Sequence, residues 1–87
     1  MSLDELRQRI DELDAEIVRL INERARITRQ IGEIKRQNNA PVYIPGREEE
    51  VYRRVAELNT GPLREESVRA IYREIMSGCR RTQFDLR

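Results

Sequence analysis

The 87-residue sequence contains no histidine, no tryptophan and a single cysteine, Cys79. One cysteine cannot close a disulfide within the chain, and the absence of histidine removes the commonest metal ligand, so we expect neither stabilising group. A lone thiol fits a reducing compartment, which predicts a cytoplasmic protein. Because small folds often need a disulfide, a metal ion or a partner chain, association with another chain is the remaining way to complete the core.

The sequence also lacks a long apolar run and a strong excess of one charge. No apolar stretch approaches the ~18 residues of a membrane span, and the opening segment MSLDELRQRI is too charged for a signal peptide. We therefore expect no membrane segment. Charged residues form 38% of the chain, yet its net charge is only +1. This balance argues against a nucleic-acid-binding surface and leaves room for a local basic pocket.

Three stretches of the chain have the apolar periodicity of helices, and none alternates like a β-strand. The predicted helices run from Leu3 to Arg36, from Arg47 to Leu58 and from Leu63 to Phe84. Pro45 is expected just before the second helix, with Glu48, Glu49 and Glu50 in its first turn, where acids interact favourably with the helix dipole. The sequence thus predicts a single all-α domain over residues 1–87.

The first predicted helix carries apolar residues at alternating steps of three and four, which we call the seam. The seam consists of Leu3, Leu6, Ile10, Leu13, Ile17, Leu20, Ile27, Ile31 and Ile34. A helix of this length extends about 50 Å, whereas a compact chain of this size has a radius of gyration of only ~12 Å. Two short helices cannot cover the whole seam. We therefore expect an intertwined homodimer, in which a second copy covers it.

Arg24 stands at the one position where the seam lacks its apolar residue. Periodicity alone favours a structural interpretation, in which the charge fixes helix register and oligomeric state. The alternative is an anion site, because Lys35 lies about three turns further on, ~16 Å away and in nearly the same direction. Arg7 lies about 26 Å before Arg24 and is turned by roughly 100°. It could therefore approach Arg24 only from an antiparallel partner helix.

Gln83 continues the apolar face of the third predicted helix, on which Ile75 and Cys79 also lie. A polar residue at this position would, by itself, indicate only that the helix is leaving the core.

Five short motifs, taken in order, resemble the all-helical class of chorismate mutases. They are L-R-x-x-I-D-x-L-D at 6–14, E-R at 23–24, G-x-x-K at 32–35, P-x-R-E at 45–48 and the terminal Gln83. The resemblance covers nearly the whole chain. It implies a three-helix protomer with one long amino-terminal helix, an intertwined homodimer, and conversion of chorismate to prephenate without a metal or cofactor. Such domains are commonly fused to a prephenate dehydratase, so the chain could be the mutase domain of a bifunctional enzyme.

The resemblance also implies a role for each candidate site residue. Lys35 and Gln83 match the two donors to the ether oxygen of chorismate, and Glu48 matches the acceptor of its ring hydroxyl. Arg24 matches a cation that holds a substrate carboxylate, and Arg47 matches a supporting cation nearby. These assignments suit a rearrangement within one molecule, which needs no nucleophile. Such a reaction is accelerated when the substrate is held in its reactive conformation and when hydrogen-bond donors face the oxygen on which charge develops.

Three further residues are implied to contact the substrate. Arg7 matches an arginine contributed across the dimer to the other carboxylate. Ile44 stands where the family often has an acidic residue, and we expect only a backbone contact there. Cys79 stands where a small hydroxyl residue is common, and we expect a buried, inert thiol.

Two other functions remain open at the level of the sequence. An isochorismate-pyruvate lyase would share this fold and most of these cations, although the length of the loop before Arg47 and the presence of Gln83 favour the mutase. A non-catalytic helical dimer that regulates an aromatic-pathway enzyme is the alternative from another class. The intact set of cations together with Gln83 favours catalysis over regulation alone.

Overall fold

A computed structural model of the chain describes residues 1–41 and 44–84. These residues form three helices, α1 (Leu3–Gln37), α2 (Pro45–Leu58) and α3 (Glu65–Gln83), and contain no β-strand. The predicted all-α, three-helix architecture with one long amino-terminal helix is therefore confirmed. Within the described residues no helix is both long and apolar enough to cross a membrane.

The helix ends lie within two residues of those predicted from the sequence. α1 begins after Ser2, whose hydroxyl caps the helix by accepting a backbone N–H three residues on at 3.1 Å. α2 begins at Pro45 rather than Arg47, because a proline at the first helical position needs no hydrogen-bond partner for its nitrogen. This corrects the prediction for the first turn of α2, which contains Glu48 as its only acidic residue.

A small apolar core joins α2 to α3. Its buried members are Val51, Val55, Val68 and Met76, with Tyr52 and Tyr72 packed against them. Helical periodicity places Leu58 and Ile71 on the apolar faces of α2 and α3, and they are 69% and 48% exposed. These two residues therefore lie outside the core of the single chain.

Most of α1 stands outside this core. Every residue from 1 to 20 is exposed, and the nine seam residues are between 44% and 62% exposed. The molecule measures 55 × 28 × 14 Å and its radius of gyration is 16.0 Å, well above the ~12 Å of a compact chain of this length. One protomer therefore leaves its seam uncovered, as predicted.

The carboxyl half of α1 packs against the end of α3. The hydroxyl of Thr82 lies 3.4 Å from the carbonyl oxygen of Ala25 and donates to the carbonyl oxygen of Cys79 at 2.6 Å. Gly32 is the one residue of α1 that is buried in the described structure. This contact sets the height at which the last turn of α3 meets α1, and so positions the residues described next.

Candidate active site

A cavity of 490 Å³ lies between α1, α2 and α3, within the size range of small-molecule sites. Seven of the eight predicted site residues line it, namely Arg24, Lys35, Ile44, Arg47, Glu48, Cys79 and Gln83. The eighth, Arg7, lies in the exposed part of α1 and does not line the cavity of its own chain. The sequence thus identified residues that the fold brings together from three separate helices.

The cavity is positively charged, although the chain as a whole is nearly neutral. Five cations line it, which are Arg24, Lys35, Arg47, Arg54 and Arg80, against the two acids Glu23 and Glu48. Glu23 also pairs with Arg19 at 3.2 Å, which offsets part of its charge. An excess of guanidinium and ammonium groups around one concave surface favours a small ligand with more than one negative charge.

Arg24 is half-buried at the cavity wall. In the part of the chain that the structure describes, no carboxylate pairs with its guanidinium. Its backbone carbonyl accepts the Thr28 hydroxyl at 2.9 Å, which leaves the side chain unaffected. A half-buried cation is costly unless an anion compensates it, and a guanidinium can grip a planar carboxylate through two hydrogen bonds. Arg24 therefore has the features of an anion-binding residue.

Gln83 is buried, with 7% of its surface exposed, at the point where α3 meets α1. Its side-chain nitrogen donates a hydrogen bond to the carbonyl oxygen of Thr28 at 3.2 Å. A carbonyl can only accept, so the amide nitrogen must face α1. That nitrogen carries two hydrogens, so this hydrogen bond uses only one of them. The sequence alone suggested that α3 leaves the core at Gln83. This interpretation is wrong, because Gln83 is buried.

Gly32 makes the close approach of Gln83 possible. A Cβ atom at position 32 would lie 3.1 Å from Cγ and 3.2 Å from Cβ of Gln83. These distances are shorter than ordinary van der Waals contact, so a larger residue would require the Gln83 side chain to shift by a few tenths of an ångström. The glycine of the G-x-x-K motif thus has a packing role, and the motif combines it with the cavity-lining Lys35.

The profile of the family described as chorismate mutase type II matches residues 6–84 of this sequence. The chain belongs to the chorismate mutase type II family. Among curated relatives, a bifunctional chorismate mutase/prephenate dehydratase of Aquifex aeolicus is 46% identical over 81 residues, which is 88% of this chain and 22% of that protein. A chorismate mutase of Methanocaldococcus jannaschii is 41% identical over 56 residues, covering 64% of this chain and 57% of the relative.

The fold agrees with this family membership. The solved structure of chorismate mutase (Form II) from Thermus thermophilus superposes with a TM-score of 0.92 at 31% identity, covering 97% of this chain and 96% of that one. The bifunctional relatives are much longer, and the matched region of this chain spans 22% of the Aquifex protein. The chorismate mutase resemblance seen in the sequence is therefore confirmed.

The two departures from the common chorismate mutase pattern both line the cavity. Cys79 is a free, buried thiol, as expected, with 2% of its surface exposed. Ile44 precedes α2 and is 49% exposed, and its carbonyl oxygen accepts the backbone N–H of Arg47 at 3.1 Å. Arg47 itself points its guanidinium toward Glu50, at 3.3 Å, so it also pairs outside the candidate substrate positions.

Besides Glu23 of the E-R motif, three cavity-lining polar residues were missed by sequence reasoning. They are Thr28, Arg54 and Arg80. Helical spacing could have revealed them, because Thr28 lies one turn after Arg24, Arg54 lies two turns after Arg47, and Arg80 lies one turn before Gln83. Arg80 also forms a contact that the motifs did not suggest, since its guanidinium lies 3.3 Å from the Glu48 carboxylate.

Proposed function

We propose that this chain catalyses the rearrangement of chorismate to prephenate. The observation that supports the proposal best is the gathering of Arg24, Lys35, Glu48 and Gln83 around one cavity between three helices. The set contains cations for a dianion, an acceptor for a hydroxyl and two donors for an ether oxygen. The membership of the chain in the chorismate mutase type II family agrees with this assignment.

The first contribution to catalysis is the conformation of the bound substrate. The reaction joins two ends of one flexible molecule, so fixing the compact conformer removes much of the entropic barrier. We propose that Arg24 holds one carboxylate, supported by Arg47, and that Glu48 accepts the ring hydroxyl. Ile44 and Cys79 complete the wall, Ile44 through its backbone and Cys79 through its bulk.

The second contribution is electrostatic. As the C–O bond of the substrate breaks, negative charge develops on the ether oxygen. We propose that Lys35 and Gln83 donate hydrogen bonds to that oxygen, which stabilises the transition state more than the ground state. The bond from Gln83 to the Thr28 carbonyl supports this role because it fixes the amide before the substrate arrives.

The second carboxylate of the substrate is assigned to Arg7 of a partner chain. Nine apolar seam residues are exposed at heptad spacing in the protomer, a pattern typical of a helix that packs against a copy of itself. In the proposed intertwined homodimer, antiparallel α1 helices bring the Arg7 side chain of one protomer to the cavity of the other. Each of the two sites then contains residues from both chains.

The fusion of this chain to a further domain and its cellular location are also proposals. The bifunctional relatives are longer than the region they share with this chain, which supports fusion to a prephenate dehydratase in a longer protein. The buried, unpaired Cys79 supports a cytoplasmic location, where thiols stay reduced.

The decisive test is the ultraviolet assay of chorismate consumption with the purified chain, a chelator and product identification. We expect prephenate as the product. Arg24→Ala is the control variant, because it should lower kcat/KM by at least about a thousandfold while the dimer persists on gel filtration. No conversion by a folded wild-type dimer would refute the proposal, and release of pyruvate from isochorismate would then assign the lyase activity.

A further inference from the structure

Arg80 and Glu48 connect two walls of the cavity. Arg80 lies on α3 and Glu48 in the first turn of α2, and both line the cavity. Nη2 of Arg80 lies 3.3 Å from Oε2 of Glu48, with the two side chains 38% and 26% exposed. The pair is thus partly shielded from water, so its attraction is stronger than that of an ion pair on the open surface.

The other nearby cations are engaged differently. Arg47 adjoins Glu48 in sequence, but its guanidinium pairs with Glu50 at 3.3 Å. Within the described residues, Arg24 and Arg54 form no ion pair, although both line the cavity. Arg80 is therefore the arginine that compensates the charge of Glu48 at ion-pair distance in the described structure.

This compensation matters for a negatively charged substrate. A lone carboxylate in the cavity would repel a dianion and could rotate away from the position where it accepts a hydroxyl. We propose, on the basis of the proposed function, that Arg80 is a positioning residue. It orients the Glu48 carboxylate toward the ring hydroxyl and cancels its repulsion of the substrate. Arg80 acts through Glu48 and does not itself bind the substrate.

The test is a double-mutant cycle with chorismate as the substrate. Arg80→Met removes the charge at similar length and should lower kcat/KM about tenfold, mainly through a higher KM that rises further at low salt. In a Glu48→Gln background the same substitution should change kcat/KM by less than about twofold, because no carboxylate remains to be positioned. Arg80→Lys keeps a cation and should stay within about threefold of wild type.

The matched control is Arg81→Met. Arg81 is the next residue of α3, is exposed and does not line the cavity. The kinetic constants of the Arg81→Met variant should therefore equal those of wild type. Equal losses from Arg80→Met in both backgrounds would overturn the inference, because Arg80 would then act on the substrate directly. No loss in the wild-type background would also overturn it. An inactive wild-type dimer would instead refute the proposed function, and the inference with it.

Discussion

The two halves of α1 have the same heptad pattern but very different surroundings. Residues 3–20 are all exposed in the protomer, and of these only Leu20 reaches the described cavity. The helix from Ile21 onward packs against α3 and contributes Arg24 and Lys35 to the cavity, although its seam residues stay exposed. A single pattern of apolar residues therefore serves two purposes. The carboxyl half contributes most of the α1 residues at the cavity of its own chain, and the amino half is exposed along its length in the protomer.

The interactions of the amino half in the protomer are local. Ser2 caps its first turn, and Arg19 bridges Glu16 and Glu23 on the solvent side. The hydrogen bond from Arg19, together with its charge, lowers the pKa of the Glu16 carboxyl. Exposed pairs of this kind contribute little to stability. We therefore expect the stability of the amino half to depend on the proposed dimer. Variants on the seam and mixtures of two variants test this expectation.

The largest effect is expected from charges placed on the seam of the amino half. Ile10→Asp combined with Ile17→Asp would bury unpaired carboxylates in the proposed interface, at a cost of several kcal/mol for each. We expect loss of the dimer on gel filtration, loss of helical circular dichroism and loss of activity. We expect these losses together because the buried core of one protomer is small.

Gln8→Asp is the control for this experiment, because it adds one carboxylate to the amino half at a position away from the seam. It should leave the dimer and its activity intact. A double-seam variant that remained an active, fully helical protein would disprove the view that the amino half needs a partner.

In the proposed dimer, Arg7 from the amino half of one α1 and Arg24 from the carboxyl half of the other share one site. Arg7→Ala and Arg24→Ala should each abolish activity, but a mixture of the two unfolded proteins, refolded together, should regain about a quarter of it. Half of the dimers then contain both chains, and one of their two sites receives an intact Arg7 and an intact Arg24. Chorismate consumption measures the recovery, with each variant refolded alone as the control. Absence of recovery, despite mixed dimers, would mean that Arg7 does not act across the interface.

The comparison also explains what the sequence could and could not predict. Three helices, the uncovered seam and seven cavity residues follow from periodicity and from motifs that resemble a family. Gln83 was ambiguous, since its burial depends on Gly32 of another helix, far away in sequence. Arg80 was missed for the same reason, because its contact with Glu48 exists only after α2 and α3 pack. Contacts between helices are not encoded in the periodicity of either one.

A smaller effect is expected within the carboxyl half, where two glycines offer a matched pair. In both Gly32→Ala and Gly78→Ala, the higher helix propensity of alanine should stabilise the helix by about 1 kcal/mol. Nothing lies within 4 Å of a Cβ at position 78, whereas one at position 32 would crowd Gln83. Gly78→Ala should therefore raise the melting temperature without changing kcat, and Gly32→Ala should lower kcat about tenfold by displacing the amide. Equal behaviour of the two variants would show that Gly32 does not position Gln83.

The smallest effect is expected at the start of the amino half. Ser2→Ala removes the hydroxyl that caps α1 and should cost about 1 kcal/mol of stability, measured by thermal unfolding. Ser2→Asp retains an acceptor and should behave like wild type. Because the partner chain holds the seam in the proposed dimer, fraying of the first turn should stop before Arg7, and kcat should change less than about twofold. A large loss of kcat in Ser2→Ala alone would mean that the cap, rather than the partner, keeps Arg7 in place.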